Sequence, residues 1–153
     1  MFTTSTPQTE KAGLFAAVSV LLGIGVMFWS ADHGNAFEAV SPLLETSETI
    51  LGQPFSYPVG KPKVTAAILT MQPGATTGWH KHPVPVFGYV LEGEITVDYG
   101  PHGKRVYRKD DSLMEAINTA HDGRNTGEGI ARVLGVFLGA EEVANTTKVA
   151  PPK

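Results

Sequence analysis

The stretch GATTGWHKHPVPVFGYVLEG, from Gly74 to Gly93, contains two histidines separated by one residue, His80 and His82. It continues into an alternating apolar run that is typical of a β-strand. Residues i and i+2 of a strand point to the same face, so both imidazoles can be aimed at one point. Two converging imidazoles suit a divalent transition metal, which takes three or more such ligands. His121, in the segment TAHDGRN, is the candidate third ligand.

The same stretch resembles the first motif of the cupins, a superfamily of small β-barrel proteins. In that motif a glycine precedes a His-x-His pair, and a glutamate and a second glycine follow it. Gly74, His80, His82 and Gly93 stand in register with the motif, whereas Val86 occupies the position of the glutamate.

The end of the second cupin motif, a histidine followed by an asparagine, is matched by His121 and Asn125. The resemblance covers residues 45–140 and identifies the chain as a small single-domain (type 2) cupin. It implies one cupin-like β-barrel, a double-stranded β-helix or jelly roll, with a single metal inside. His80, His82 and His121 are then the ligands, and the cofactor is a divalent transition metal such as Fe, Mn, Zn, Ni or Cu.

Val86 cannot coordinate a metal, so the ligand set that the resemblance implies lacks its carboxylate. The loss of this negative charge weakens the binding of hard ions and favours metals that prefer imidazole. Glu115, six residues before His121, is the candidate substitute, either as a metal ligand or as a catalytic general base. The alternative is a solvent-facing strand residue, because the turn between Glu115 and His121 interrupts the period-2 pattern.

The composition favours an all-β protein, because the 153-residue chain contains 17 glycines and 11 prolines and can therefore form many turns. The formal net charge is −3 and no basic patch stands out, so we expect no nucleic-acid partner. The absence of cysteine excludes disulfides and thiol nucleophiles. No nucleophile-elbow, dinucleotide-binding or P-loop motif occurs, so these chemistries have no support in the sequence.

Short strands separated by turn residues also predict a barrel or sandwich. The strands are expected at residues 64–71, 77–82, 87–91, 95–99, 104–108, 112–116, 120–124 and 131–138. We therefore assign residues 37–141 to the cupin barrel domain and residues 142–153 to a disordered C-terminal tail. The proline-rich lead-in, residues 37–62, contains two further short strands at 48–51 and 55–57. It can add an edge strand to a second copy, so we expect a homodimer.

Residues 12–29 form an uncharged, apolar run near the N-terminus. Its length lies between that of a secretory signal and that of a transmembrane helix. Residues 1–36 are therefore predicted to be either a signal peptide, cleaved after Ala36, or a hydrophobic helix that anchors the chain in the membrane. Both interpretations export the barrel, either to the periplasm or to the outer face of the inner membrane.

Two classes of function remain open at this point. The first is a small metal-dependent enzyme, which the cupin resemblance narrows to a dioxygenase, an isomerase or a decarboxylase acting on a small molecule. The second is a non-catalytic module that binds a small molecule or a metal in a degenerate cupin site. The orientation of Glu115 distinguishes them, because a carboxylate inside the pocket supplies the acid–base group that turnover usually needs.

Overall fold

The computed structural model describes residues 40–153. The predictions for residues 1–36, a signal peptide or a hydrophobic membrane-anchoring helix, lie outside the described residues. Between residues 40 and 153, no helix combines the length and the apolar character needed to cross a membrane.

Apart from one 3₁₀ turn, the helices and strands of the described residues are all β-strands, which confirms the predicted all-β class. In chain order the elements are β1 (Pro62–Met71), β2 (His80–Lys81), β3 (Val86–Glu92), β4 (Glu94–Asp98), a 3₁₀ turn (Gly100–His102), β5 (Lys104–Arg108), β6 (Ser112–Met114), β7 (Asp122–Asn125), β8 (Ala131–Ala140) and β9 (Thr147–Lys148).

The strands form two larger sheets and one small ribbon. One sheet has the order β1-β8-β3-β6, the second has the order β5-β4-β7, and β2 pairs with β9. Every strand pair is antiparallel. The chain passes from one sheet to the other between β3 and β4, as in a jelly roll, whereas β4 and β5 form a hairpin within one sheet.

The hydrophobic core lies between the two larger sheets. Alternation along the strands directs Val90 and Leu113 inward from the first sheet, and Val97 and Tyr107 inward from the second. Tyr99, just after β4, continues this alternation and is fully buried. Along β4 burial alternates with period 2, and Ile95 and Val97 face inward. Along β3 the buried residues are Val86, Gly88 and Val90, whereas the alternating apolar run of the sequence, Phe87, Tyr89 and Leu91, is only half-buried.

Gly93 allows the chain to pass from β3 to β4, and thus from one sheet to the other. Its φ of 77° lies in the left-handed region that favours glycine. A Cβ on this residue would lie 2.6 Å from the carbonyl oxygen of Ile130, which is backbone and cannot easily move aside. The glycine that ends the first motif is thus required both by its backbone conformation and by close packing.

Most predicted strands are present, with shifted ends. Strand β5 has the predicted bounds, whereas β1 begins two residues earlier and β8 ends two residues later than expected. The predicted strand at 77–82 is reduced to β2, because Gly78, with a φ of 71°, forms a turn immediately before it.

The C-terminal segment differs from the prediction of a disordered tail over residues 142–153. Thr147 and Lys148 form β9 and pair with Lys81 and His80 of β2. The N–H of Val149 extends this pairing by donating to the carbonyl of Trp79 at 3.0 Å. The segment is held in place by this backbone pairing, which uses the side of β2 that does not face His121.

The lead-in lies against the end of β6 and contributes little strand structure of its own. The two predicted short strands are replaced by a single bridge between Glu48 and Pro54. The N–H of Ile50 donates to the carbonyl of Met114 at 2.8 Å. This contact covers part of the edge that β6 would otherwise expose.

Candidate metal centre

Three histidines from two neighbouring segments meet between the sheets. His80 lies on β2, His82 follows directly, and His121 immediately precedes β7. The backbones of His80 and His121 exchange two hydrogen bonds, of 2.9 and 2.8 Å. The ring centroids are 4.4 to 5.1 Å apart, and one nitrogen of each ring lies within 4.8 Å of the other two. The structure therefore brings together the three histidines that the sequence singled out.

Each imidazole is oriented by a hydrogen bond from its Nδ1 atom to a backbone carbonyl. The acceptors are Gly78 for His80 at 2.7 Å, Asn145 for His82 at 2.8 Å and Thr119 for His121 at 2.8 Å. A carbonyl oxygen can only accept, so Nδ1 must carry the proton in all three neutral rings. Each Nε2 atom then presents a free lone pair, which is the form that binds a metal.

The electrostatics of the centre also favour neutral imidazoles. Burial lowers the pKa of His82 to about 4, and burial likewise lowers the pKa values of His80 and His121. The Nε2 atom of His121 is buried without a hydrogen-bond partner among the described residues. An unsatisfied buried polar atom costs roughly 1–3 kcal/mol. A divalent metal at the meeting point of the three rings would satisfy this atom, so the residues present fit such an ion.

Glu115 lies inside the barrel and not on the solvent-facing side. It follows β6, and its N–H donates to the carbonyl of Val86 at 2.8 Å, so the two residues lie opposite each other on antiparallel chains. Side chains of directly opposed residues share one face of the sheet. The Oε2 atom of Glu115 lies 3.7 Å from Nε2 of His121 and accepts a 3.3 Å hydrogen bond from the hydroxyl of Tyr99.

Burial determines the protonation of this carboxyl group. The side chain of Glu115 is 15% exposed, and burial raises its pKa to about 7. A carboxyl group with this pKa can hold or release a proton near neutral pH, as a general acid or base requires.

The centre opens into a cavity of about 400 Å³ between the sheets. Its walls are mainly apolar and include Leu69, Val86, Val97, Val133 and Phe137. The polar lining consists of the three histidines, Glu115, two threonines and Lys148. Lys148 is the only basic side chain with a permanent charge in this lining, and no described acidic group lies within 4 Å of it.

Asn125 has a structural role and does not contact the histidines. Its side-chain amide donates to the carbonyls of Met71 and Gly129 at 2.9 and 2.8 Å, and its oxygen accepts from the N–H of Gly127 at 3.0 Å. These bonds fix the turn at the end of β7, so Asn125, which matches the second motif, acts here as a turn residue.

Two parts of the centre were missed by sequence reasoning. Tyr99, which contacts Glu115, shares the inward face of β4 with Ile95 and Val97, so the alternation of this strand could have identified it. Asn145, which orients His82, is 63 residues away from it in the chain, and no local pattern marks it.

The comparisons with known proteins agree with this architecture. The cupin-domain family model matches residues 67–137 and confirms the resemblance seen in the motifs. No curated protein matched the chain in a sequence comparison.

Three solved structures illustrate the similarity of fold. The DMSP lyase DddQ from Ruegeria pomeroyi is 23% identical, with a TM-score of 0.51; the match covers 67% of this chain and 49% of the lyase. An uncharacterized protein with a double-stranded β-helix domain from Klebsiella pneumoniae is 16% identical, with a TM-score of 0.51; the match covers 61% of this chain and 88% of the Klebsiella protein. Oxalate decarboxylase from Lactobacillus farciminis is 22% identical, with a TM-score of 0.49, over 56% of this chain and 26% of the decarboxylase.

The likeness to the lyase and to the Klebsiella protein, each with a TM-score of 0.51, shows the fold alone. The chain spans 26% of the length of the decarboxylase and 49% of the length of the lyase.

Proposed function

We propose that this chain, in which residues 67–137 form a cupin domain, is a metal-dependent enzyme that acts on a small molecule. His80, His82 and His121 would hold one divalent transition metal through their Nε2 atoms. The observation that carries the proposal is the convergence of the three imidazoles, each with a free lone pair on Nε2 because its own Nδ1–H is bonded to a backbone carbonyl.

The metal would supply open coordination positions and polarisation of a substrate oxygen, which three protein ligands leave available. Neutral imidazoles favour Fe, Zn, Ni or Cu, and Mn is the least favoured of the candidates because it prefers oxygen ligands. The reaction classes that we propose are dioxygenation, isomerisation and decarboxylation.

Glu115 supports turnover over simple binding. Its carboxyl group lies in the cavity, 3.7 Å from the Nε2 atom of His121, with a pKa raised by burial to about 7. It can take up or return a proton at Oε2, while the hydroxyl of Tyr99 holds that oxygen in place. A degenerate site that only binds an apolar ligand has no need for a buried carboxyl group, which is costly to desolvate.

The cavity defines the substrate in chemical terms. A volume of about 400 Å³ suits a small molecule, and the apolar walls formed by Leu69, Val133 and Phe137 suit an apolar body. The head group must carry oxygen atoms that can reach the metal. Lys148 is available to attract a negative charge on such a head group.

Export of the barrel is a further part of the proposal and rests on the uncharged run at residues 12–29. Deletion of this run should leave the protein in the cytoplasm. Recovery of the deleted form and the full chain in the same cell fraction would contradict export.

Elemental analysis of the untagged full-length chain tests the metal site. We expect about one metal per chain, lost in His82→Ala and retained in His102→Ala, which alters an exposed histidine of the 3₁₀ turn. The absence of metal after incubation with Fe(II), Zn, Ni, Cu and Mn would overturn the proposal. Equal metal content in the two variants would overturn it as well.

A further inference from the structure

The C-terminal segment Asn145–Val149 contacts the candidate metal centre directly. The Nδ1 atom of His82 lies 2.8 Å from the carbonyl oxygen of Asn145 and 3.2 Å from the hydroxyl of Thr146. Residues 147 and 148 of this segment form β9, which pairs with β2. The same polypeptide segment therefore binds the strand that carries His80 and orients the ring of His82.

The hydrogen-bond acceptor of His82 differs in its origin from those of the other two histidines. The carbonyls that orient His80 and His121 belong to Gly78 and Thr119, each two residues earlier in the chain. Their geometry is thus set by the local turn. The acceptor for His82 comes from a segment 63 residues away, so its presence depends on the attachment of that segment.

Close packing shows where the segment attaches. Gly139 lies beside it, and a Cβ at this position would come within 3.0 Å of the side-chain oxygen of Asn145. At its other end, the N–H of Val149 donates to the carbonyl of Trp79 at 3.0 Å. Thr146 and Lys148 also contribute to the wall of the cavity.

We propose that Asn145–Val149, named here the C-terminal strap, is a positioning element of the metal centre that fixes the ring orientation and tautomer of His82. The inference rests on the proposed metal site and identifies a segment on which the site depends. With the strap in place, the proton of His82 stays on Nδ1 and its Nε2 atom faces the other two histidines. Without it, the ring can rotate and its proton can occupy either nitrogen, so fewer molecules present all three lone pairs.

Two matched pairs of variants, one of point substitutions in the full chain and one of shortened chains, test this role. Val149→Pro removes the N–H that holds the strap, whereas Val149→Ala keeps it and shortens the side chain. A chain that ends at Ala144 lacks the strap, whereas a chain that ends at Ala150 keeps it. Co²⁺ is the probe, because its visible spectrum reports both affinity and ligand geometry. Nitrogen NMR of the metal-free protein reports the tautomer of each histidine.

We expect Val149→Pro and the chain ending at Ala144 to bind Co²⁺ on the order of 10-fold more weakly, as is typical when a partner that orients a metal ligand is removed. The two controls should retain the affinity of the parent chain. In the metal-free variants only His82 should become a mixture of tautomers, while His80 and His121 stay protonated on Nδ1. A general loss of structure would disturb all three rings.

These experiments distinguish a failure of the strap's positioning role from a failure of the proposed metal site. If the parent chain binds no Co²⁺, the proposed metal site fails, but the tautomer of His82 still decides the role of the strap. If the chain ending at Ala144 does not fold, the two Val149 variants decide. Unchanged Co²⁺ affinity together with an unchanged His82 tautomer in Val149→Pro would overturn the inference. Equal effects of Val149→Pro and Val149→Ala would overturn it too.

Discussion

Glu115 lies directly opposite Val86 on the neighbouring chain segment, joined to it by a 2.8 Å hydrogen bond between their backbones. Val86 occupies the position at which the first cupin motif has a glutamate, and its side chain lines the cavity. Because opposed residues share one face, the carboxyl group missing at residue 86 is present one strand away. The barrel therefore keeps a carboxyl group beside its three histidines, although the motif lacks one.

Exchange of these two residues tests that equivalence. Glu115→Val should weaken the binding of Mn²⁺ by about 10-fold, because an oxygen donor and a negative charge leave the neighbourhood of the metal. The double variant Val86→Glu with Glu115→Val should recover the loss, since the carboxyl group returns to the same face. Titration with Mn²⁺, followed by electron paramagnetic resonance, measures both. A double variant as weak as Glu115→Val would show that the two positions are not equivalent.

Metal binding should stabilise the fold, because it would satisfy the buried Nε2 atom of His121, which has no hydrogen-bond partner among the described residues. A ligand that binds only the folded chain stabilises it by about 2.7 kcal/mol at a free concentration about 100-fold above Kd. We therefore expect Zn²⁺ to raise the Tm of the parent chain and of His102→Ala, but not of His121→Ala. Thermal unfolding with and without Zn²⁺ measures the difference. A similar rise in Tm in His121→Ala would place the Zn²⁺ elsewhere.

Gly93→Ala should destabilise the barrel by about 3 kcal/mol, the combined cost of a left-handed residue and of overpacking against Ile130. Gly74→Ala is the control, because Gly74 has a similar φ of 78°, but a Cβ there would have no neighbouring atom within 4 Å. It should cost only about 1 kcal/mol. Urea unfolding measures both free energies. Equal losses in the two variants would remove the argument for close packing at Gly93.

Asp98 should contribute to stability in a pH-dependent way. The N–H of Gly100, and then the ammonium of Lys104, hold the pKa of Asp98 below its ordinary value. This contribution is present above the pKa of the unfolded chain and is lost as the pH falls through the lower folded pKa. Asp98→Asn keeps an acceptor for Gly100 but loses the charge.

As the pH falls from 6 to 3, the free energy of unfolding should therefore decrease less in Asp98→Asn than in the parent chain. The difference should be small, because the ion pair is solvent-accessible. Urea unfolding across this pH range measures it, and a larger decrease in Asp98→Asn than in the parent chain would contradict the prediction.

Much of the candidate site could be predicted because its determinants are local. His80 and His82 share a face through strand alternation, and Gly93 marks the turn that ends their motif. The alternation of β4 likewise identifies Ile95 and Val97 as core-facing residues. Each of these inferences needs only the spacing of neighbouring residues.

Other features depended on which segments meet. The orientation of Glu115 could not be predicted because the turn before His121 interrupts the period-2 count and both preceding residues, Leu113 and Met114, are apolar. The pairing with the backbone of Val86 decides it. The contact of Asn145 with His82 could not be predicted either, because a two-residue strand has almost no pattern of its own.

The sequence by itself determined the all-β class, the three histidines and the substitution of valine in the cupin motif. Only the tertiary structure decided that the carboxyl group of Glu115 lies in the cavity beside His121, and that the carbonyl oxygen of Asn145 lies 2.8 Å from Nδ1 of His82. The physical reason is that side-chain alternation is a property of one strand, whereas the position of a carboxyl group or a carbonyl beside the site depends on pairing between distant segments.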